Sequence, residues 1–538
     1  MSPAKRPNIL WVSFEDTNPF YGCYGDPVAR TPNVDRLAAE GCRWPNAFST
    51  AGVCAPARSA VITGMYPIAI GAHHMRTTHT NPHTPELPTP YSAVVPHYVK
   101  CFSEYLRAAG YYCTNNVKTD YQFDPPLTAW DELSTRAHWR NRPDPAQPFF
   151  AVFNPTITHE SGMWPENCPA IAFDPARIAL PPYFPDTPPV REAMARMYTH
   201  IEKADRILGE LLDQLEADGL AEDTIVFHWS DHGPLPRGKR WPYDSGIHVP
   251  LIVRRPGRLE PGSVSDQLVS TVDLGPTVLS LAGIDIPQHM QGRAFLGPQA
   301  APPREYVFAS RDRYDEAYDM VRAARDKRFK YIRHYRPDLP YLLWIPYHNR
   351  HPIVQELWRL HLAGELAGPQ TLLFEPRPAE ELYDTRADPH EIHNLAADPT
   401  YAPELHRLRR ALDAWIAEVG DLGQIPEAEM VRRWYPAGVQ PQTAAPVFVP
   451  ICEQNPGIEP AEGGALTAPA SIQMHCATQG ASIAYTFEEG ENPHWHLYTA
   501  PVRLPVGRST LRARAIRIGY KESEERQAIF GVGTNVKA

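Results

Sequence analysis

Cys54 heads a short pattern, Cys54-x-Pro56-x-Arg58, in which each fixed residue type has a distinct chemistry. If a helix begins at Cys54, the free N–H groups of its first turn present a positive potential to anions. Arg58 would follow one turn later, close enough to act on a group at Cys54. The competing interpretation is structural, because free cysteines are among the most buried residue types.

Two acids, Glu15 and Asp16, directly follow the apolar run from Ile9 to Phe14, which predicts a buried strand. The carboxyl ends of parallel strands are where open α/β sheets bind their ligands. Adjacent side chains of a strand point to opposite faces, so both acids can bind one ligand only if the chain turns. Asn18-Pro19 behind them favours such a turn, and the alternative is a solvated pair of loop acids.

A second strand pattern, Thr224–Ser230, ends in Asp231 and His232. Together with Glu15 and Asp16 these residues predict an oxygen-rich metal site with one imidazole. Hard cations prefer oxygen ligands, so we expect one divalent metal, Ca²⁺, while the imidazole leaves Mn²⁺ or Zn²⁺ open.

The elements that must position these residues alternate between strand and helix up to about residue 300. From Arg191 to Gly219, apolar residues recur at helical spacing, which predicts a helix. The segment from Val269 to Leu279 also predicts a helix. Beyond residue 300, the segments 320–325 and 328–333 predict an antiparallel hairpin, and a helix is expected from about Ala402 to Val419. We therefore predict four units: a catalytic α/β domain (1–300), a smaller subdomain (301–435), a Pro-rich linker (436–450) and an all-β module (451–538).

Composition excludes several classes of partner. The chain has 538 residues and a formal net charge of −10, which argues against nucleic acid or an anionic membrane as a partner. No segment approaches the ~18 uninterrupted apolar residues of a membrane helix. The N-terminus shows no apolar region typical of a secretion signal, and the 8 cysteines form no C-x-x-C pair. We therefore expect a cytoplasmic protein.

Several further motifs stand in register with Cys54, and together they resemble the type I, formylglycine-dependent sulfatase family of the alkaline phosphatase superfamily. The resemblance covers roughly residues 5–420. Within the family, the chain is most similar to arylsulfatases and heparan N-sulfatases. It implies an alkaline-phosphatase-like mixed sheet flanked by helices, with a smaller antiparallel C-terminal subdomain. The C-terminal module resembles the β-sandwich of chitobiases. The motifs that carry the resemblance are Gly22-Cys23-Tyr24-Gly25, Thr31–Gly41, Asn46-Ala47-Phe48, Ser230–Gly233, Gly238–Pro250 and Glu381–Asp384.

The resemblance implies that Cys54 is oxidised to formylglycine by a formylglycine-generating enzyme. One hydroxyl of the hydrated aldehyde attacks sulfur, and the other expels sulfate by breaking the C–O bond. Arg58 would hold the hydrate, Lys118 and Lys239 would bind the sulfuryl oxygens, and His159 would protonate the leaving group. An oxygen of the modified Cys54 would join the metal ligands.

The chain departs from the family pattern at two positions. Glu15 stands where most relatives carry Asp. The side chain is longer by one methylene group but still offers a carboxylate as a metal ligand. Asp120 replaces the histidine of the family's G-K-x-H element, and its reference pKa of about 3.9 makes it a weak base at neutral pH. Two other histidines, His73 and His74, are alternative candidates for this role, although a structural role is favoured for each.

The predicted substrate is a small anionic molecule bearing a sulfate monoester or a sulfamate. Hydrolysis of phosphonate monoesters or phosphodiesters with the same nucleophile is the alternative, and a non-catalytic glycan-binding protein is a remote one. Two roles are open for the insertion at 341–373: a lid over the pocket or a contact between subunits. The β-module is expected to be a structural cap, or to form a homo-oligomer, rather than to bind carbohydrate.

Overall fold

The computed structural model describes residues 6–533, and an eight-stranded mixed sheet lies at its centre. Apolar, β-branched and aromatic residues dominate the long inner strands, as expected for strands that are buried on both faces. The strands of this part are β1 (Asn8–Phe14), β2 (Cys42–Arg43), β3 (Ala47–Phe48), β4 (Tyr112–Asn116), β5 (Glu132–Leu133), β6 (Phe149–Phe153), β7 (Thr224–Ser230), β8 (Leu251–Arg254), β9 (Ser263–Val264) and β10 (Val269–Ser270).

The strand order is β5-β4-β6-β1-β7-β8-β2-β9, and β3 pairs with β10 in a separate two-stranded sheet. Strand β1 pairs in parallel with both β6 and β7, with Phe14 opposite Ser230. The residues that follow β1, β6 and β7 therefore meet at one edge of the sheet. Antiparallel pairing of β8 with β7 makes the sheet mixed.

Helices cover both faces of the sheet, and alternate residues of β1 point to opposite layers. Ile9 and Trp11 belong to the apolar layer of the helices Phe102–Ala108 and Leu274–Leu281, whereas Leu10, Val12 and Phe14 belong to the layer of the helix Pro188–Ala217. The helices are α1 (Pro32–Glu40), α2 (Cys54–Thr63), α3 (Pro67–Ile70), α4 (Phe102–Ala108), α5 (Pro188–Ala217), α6 (Asp244–Ile247), α7 (Leu274–Leu281), α8 (Pro346–Asn349), α9 (Pro352–Ala363), α10 (Ala402–Val419) and α11 (Glu427–Trp434).

The helix predicted from Val269 was wrong at its start. Val269 and Ser270 form β10, and α7 begins only at Leu274. Asp273 accepts a hydrogen bond from the Ser270 N–H at 3.0 Å, so this acid caps a short turn before the helix.

A four-stranded antiparallel sheet follows, and α10 packs on it through Leu408 and Leu412. The predicted hairpin is confirmed, because its two strands pair antiparallel from Val321 opposite His334. The strands are β11 (Val307–Arg311), β12 (Val321–Arg325), β13 (Phe329–His334) and β14 (Glu380–Asp384).

The C-terminal module is a sandwich of a three-stranded and a five-stranded sheet around its own apolar core. Its first strand begins inside the predicted Pro-rich linker. The alternating residues of Val447–Ile451 form this strand, and Pro450 is tolerated because the strand lies at a sheet edge. The strands are β15 (Val447–Ile451), β16 (Gly463–Thr467), β17 (Ser471–His475), β18 (Ser482–Thr486), β19 (His496–Leu497), β20 (Val502–Arg503), β21 (Gly507–Ile516) and β22 (Arg526–Gly533).

The predicted fold class is thus confirmed: a mixed α/β sheet flanked by helices, a smaller antiparallel sheet and an all-β sandwich. Across residues 6–533, none of the helices combines the length and the apolar character that crossing a bilayer requires.

Candidate active site

Helix α2 begins at Cys54, which meets the condition considered from the sequence, and all of its residues are buried. The Cys54 Sγ atom lies 3.1 Å from His232 Nε2, 3.7 Å from Glu15 Oε1 and 3.9 Å from Asp16 Oδ1. Burial raises the pKa of the Cys54 thiol well above its usual range, although Lys118 and Lys239 oppose this. An unmodified thiol is therefore protonated at neutral pH and is a poor nucleophile here.

The acids after β1 both point to the site because the chain turns at Asp16, which has a φ of 47°. The Asp16 N–H donates to Asp231 Oδ1 at 3.0 Å, so the ends of β1 and β7 are joined directly. Burial and the neighbouring Asp16 and Asp231 raise the pKa of Glu15, although Lys118 opposes them. Such crowding of carboxylates is what a divalent cation relieves.

Two overlapping groups of side chains have ligand atoms within 4.8 Å of one another. Both contain Asp16 and Cys54; one adds Asp231 and His232, and the other adds Glu15 and His159. All four predicted metal-binding side chains therefore converge on Cys54. Three carboxylates and one imidazole are a donor set that fits a hard divalent cation.

Three cations surround this cluster. Arg58 Nε donates to Asp231 Oδ2 at 2.8 Å, Lys118 pairs with Glu15, and Lys239 pairs with Asp16. Burial alone would raise the pKa of Asp16, but Lys239 and His232 together hold it well below its usual range. Asp16 is therefore ionised in the free site.

His159 lies at the edge of the cluster, with Nε2 3.4 Å from Lys239 Nζ and 3.9 Å from Asp16 Oδ2. Its Nδ1 lies 2.9 Å from Ser161 Oγ. Burial, reinforced by Lys239, lowers the pKa of His159 to about 4. The imidazole is therefore neutral at neutral pH until a bound anion raises its pKa.

Asp120 contacts two cations, Lys118 Nζ at 3.2 Å and Arg76 Nη1 at 3.7 Å. Burial alone would raise the pKa of Asp120, but Lys118 and Arg76 lower it below its usual range. The other candidates, His73 and His74, pack ring against ring at 4.2 Å. Within the described residues no hydrogen bond joins either histidine to Cys54, and His74 Nδ1 instead accepts one from the Arg313 N–H at 3.3 Å.

Sequence reasoning missed three polar residues that hold the predicted ones in place. The Asn154 Oδ1 atom accepts a hydrogen bond from Arg58 Nη1 at 3.2 Å. Glu160 receives two hydrogen bonds from Arg240, at 2.7 and 3.0 Å, and lies 3.0 Å from Lys239 Nζ. A signal existed, because Glu160 and Arg240 are the direct neighbours of the predicted His159 and Lys239.

The insertion at 341–373 forms one wall of the site within the chain. Leu343, Ile345 and Tyr347 pack on the apolar cluster that contains Cys54. The Tyr347 ring lies 6.2 Å from the ring of His159 and 5.1 Å from that of Trp164. This intramolecular packing is consistent with a lid or wall over the site.

Comparisons with known proteins agree with this arrangement. Residues 7–284 match the sulfatase family model, and residues 232–344 match the family described as N-sulphoglucosamine sulphohydrolase, C-terminal. An ulvan-active sulfatase of Formosa agariphila is 44% identical, over 97% of this chain and 91% of that protein. Human N-sulphoglucosamine sulphohydrolase is 29% identical, over 78% of this chain and 91% of its own.

Solved structures share the fold at low identity. One was determined in complex with its substrate D-glucosamine-2-N,6-O-disulfate, and has a TM-score of 0.56 and 19% identity, covering 78% of this chain and 100% of its own. A phosphonate monoester hydrolase from Silicibacter pomeroyi has the same TM-score and 20% identity, covering 78% and 97%. The predicted resemblance is confirmed: the chain belongs to the sulfatase family and is a hydrolase of sulfate esters or sulfamates.

Proposed function

We propose that this sulfatase removes a sulfate group from a sulfated glycan, with Cys54 matured to formylglycine by a formylglycine-generating enzyme. The observation that carries the proposal is the convergence of His232, Glu15 and Asp16 on Cys54 Sγ, at 3.1 to 3.9 Å. Two relatives support the proposal that the substrate is a glycan: one is an ulvan-active sulfatase and the other is N-sulphoglucosamine sulphohydrolase.

One divalent metal would be held by Glu15, Asp16, Asp231 and His232, together with an oxygen of the matured Cys54. Ca²⁺ is the proposed ion, because carboxylate oxygens dominate the donor set, whereas Mn²⁺ or Zn²⁺ would also accept the imidazole. When bound, the cation supplies positive charge to the sulfate oxygens.

Lys118 and Lys239 would bind the sulfuryl oxygens from two sides. Each is already held by a carboxylate of the metal cluster, Glu15 for Lys118 and Asp16 for Lys239. The lysines are therefore oriented before substrate binds, which limits the reorganisation that binding requires. Arg58, fixed by Asp231 and Asn154, would hold the nucleophilic group at position 54.

Hydrated formylglycine supplies one hydroxyl for attack on sulfur and a second for release of sulfate. His159 would donate a proton to the departing oxygen or nitrogen of the glycan, after the anionic substrate has raised the pKa of its ring. Asp120 would accept the proton of the second hydroxyl. It is ionised at neutral pH and lies beside Lys118, although its low pKa makes it a weak base.

The test has two parts. The Cys54 peptide of protein co-expressed with a formylglycine-generating enzyme should show the mass loss expected when an aldehyde replaces the thiol. The matured enzyme should then hydrolyse an aryl sulfate faster than the matched aryl phosphonate, and Cys54→Ala should be inactive. An unmodified thiol would contradict the nucleophile, and a preference for phosphonate would favour the phosphonate hydrolase alternative.

A further inference from the structure

A cavity of about 370 Å³ opens beside the site, between the loop that carries Arg76 and the insertion that carries Tyr347. It adjoins the site because Arg76 pairs with Asp120 and Tyr347 packs near His159. The cavity therefore offers space for the neighbouring sugar of a glycan whose sulfate reaches Cys54.

Two arginines of the cavity have weak partners. Arg76 lies 3.7 Å from Asp120 and Arg350 lies 3.6 Å from Glu166, both beyond hydrogen-bond distance. Their side chains are 35% and 61% exposed, and within residues 6–533 neither guanidinium donates a hydrogen bond to a carboxylate. By contrast, Arg313 on the same wall donates two hydrogen bonds to Glu427. A guanidinium fork that donates no hydrogen bond to a protein carboxylate can bind a carboxylate or a sulfate of a ligand.

Aromatic side chains flank these arginines. Trp344 is 55% exposed, and its ring lies 5.7 Å from that of His83 in the cavity wall. The Arg350 guanidinium lies 4.5 Å above the ring of Trp164, which restricts its direction. An exposed tryptophan beside a polar cavity offers a flat apolar surface for the face of a sugar ring.

One acid of the cavity wall has a buried oxygen that lacks a donor. The Glu316 Oε2 atom is buried without a hydrogen-bond partner within the described residues, which is costly unless a ligand or water supplies one. The neighbouring Asp315 also lines the cavity. A hydroxyl group of a sugar is a donor that would satisfy the Glu316 carboxylate.

We propose that this cavity is a subsite for the sugar next to the sulfated one. In it, Arg350 and Arg76 bind an anionic group of that sugar, a carboxylate or a second sulfate, while Trp344 packs on its ring. The inference rests on the proposed sulfatase function, whose substrate it narrows to glycans with anionic groups on neighbouring sugars.

The experiment compares an aryl sulfate with three disaccharides that carry the cleaved sulfate on one sugar. Their neighbouring sugar bears a carboxylate, a sulfate or a neutral hydroxymethyl group. For the wild type we expect kcat/KM to be about ten-fold higher with an anionic neighbour, the effect of one charge-assisted hydrogen bond. Arg350→Gln should remove most of this preference without changing the aryl sulfate rate. An advantage with only one of the two anions would identify the group.

The matched control is Arg359→Gln, because Arg359 is an exposed arginine of the same insertion that pairs with Glu356. It should leave every rate unchanged. Trp344→Ala should lower kcat/KM for all three disaccharides, and Trp344→Phe should restore most of it. The subsite proposal would be overturned if the wild type had the same kcat/KM for all three disaccharides. It would also be overturned if Arg350→Gln lowered kcat/KM for the neutral disaccharide as much as for the anionic ones. Failure to release sulfate from any substrate would refute the proposed function itself, and the subsite with it.

Discussion

Glu160 is the residue on which the charge balance around Lys239 and Arg240 depends. It is buried and receives hydrogen bonds from Arg240 at 2.7 and 3.0 Å while pairing with Lys239. Its N–H also donates to Asp16 Oδ2 at 2.7 Å, so it connects the acidic cluster around Cys54 with Lys239.

Glu160→Gln should lower the free energy of unfolding by about 3–5 kcal/mol, because it leaves two buried cations short of a partner. Added sulfate should stabilise this variant more than the wild type, since the uncompensated Lys239 and Arg240 favour an anion. Thermal unfolding with and without sulfate measures both effects. The control is Glu192→Gln, which removes a half-exposed partner of Arg196. Equal responses of Glu160→Gln and wild type to sulfate would contradict the argument.

The proposed role of Asp120 as the base can be tested by the pH dependence of activity. Its pKa lies below the usual value of 3.8, because Lys118 and Arg76 outweigh burial. A group with a lowered pKa stays ionised down to acidic pH, so activity that needs its carboxylate is lost only below about pH 3.8. Asp120→His should move this acidic limb of kcat/KM upward, towards the ordinary histidine pKa of about 6.5.

Asp120→Asn is the matched variant, because it keeps the shape and removes the basic oxygen. It should lower kcat by roughly 10²–10⁴, the range of general-base contributions. Activity of Asp120→Asn within two-fold of the wild type would mean that Asp120 only balances the charges of Lys118 and Arg76.

At the scale of elements, the parts of the site that lie next to regular structure could be predicted. A helix start at Cys54 was considered, and Glu15 and Asp16 were expected at a strand end with a turn. The partners Asn154, Glu160 and Arg240 were missed because their role is pairing between distant segments. The hydrophobic periodicity of a helix or strand does not indicate that Glu160 contacts Arg240, which lies 80 positions away in the sequence.

Helix α11 is fixed to the rest of the chain by Glu427 at its first position. This carboxylate pairs with Arg313 and accepts hydrogen bonds from Tyr91 at 2.8 Å and Tyr318 at 2.6 Å. Glu427→Gln should lower the free energy of unfolding at pH 7 by about 3–5 kcal/mol, as expected when one partner of a buried ion pair is removed. Glu429→Gln on the exposed side of the same helix should have no measurable effect.

The effect should depend on pH. Burial would raise the pKa of Glu427, but His74 and Arg313 lower it from 4.5 to about 2. The carboxylate therefore contributes its stability above about pH 4.5, and loses it as the pH falls through about 2. Urea unfolding at several pH values should show the difference between Glu427→Gln and wild type shrinking in strong acid. A difference that is independent of pH would contradict the ion-pair account.

At the scale of the whole molecule, the β-module packs against the catalytic part rather than standing apart from it. Arg107 Nη2 donates to the Trp495 carbonyl at 2.6 Å, and His494 Nε2 lies 3.1 Å from Asp131 Oδ1. Ile518 of the module is buried in the same apolar layer as α4. These contacts support the predicted structural cap, whereas an oligomeric role stays a prediction.

Substitution of Gly519 by alanine tests this coupling, because it adds a single methyl group at the interface between the module and the catalytic part. Its φ is +88°, and an added Cβ would lie 2.5 Å from the Ala93 carbonyl oxygen of the catalytic part. Gly490 of the same module has a similar φ of +97° but nothing within 4 Å, so Gly490→Ala carries the backbone strain alone. Gly519→Ala should therefore cost about 1–3 kcal/mol more than Gly490→Ala, because backbone atoms cannot yield without moving the interface.

Calorimetry should show the consequence for the whole chain. The wild type and Gly490→Ala should keep the module and the catalytic part in a shared transition, since burial of Ile518 couples them. In Gly519→Ala the module should unfold separately, at lower temperature, while the aryl sulfate rate of the remaining native enzyme persists, because the Cys54 cluster lies within the catalytic part. Identical transitions in the two glycine variants would contradict coupling through the contact between Gly519 and Ala93.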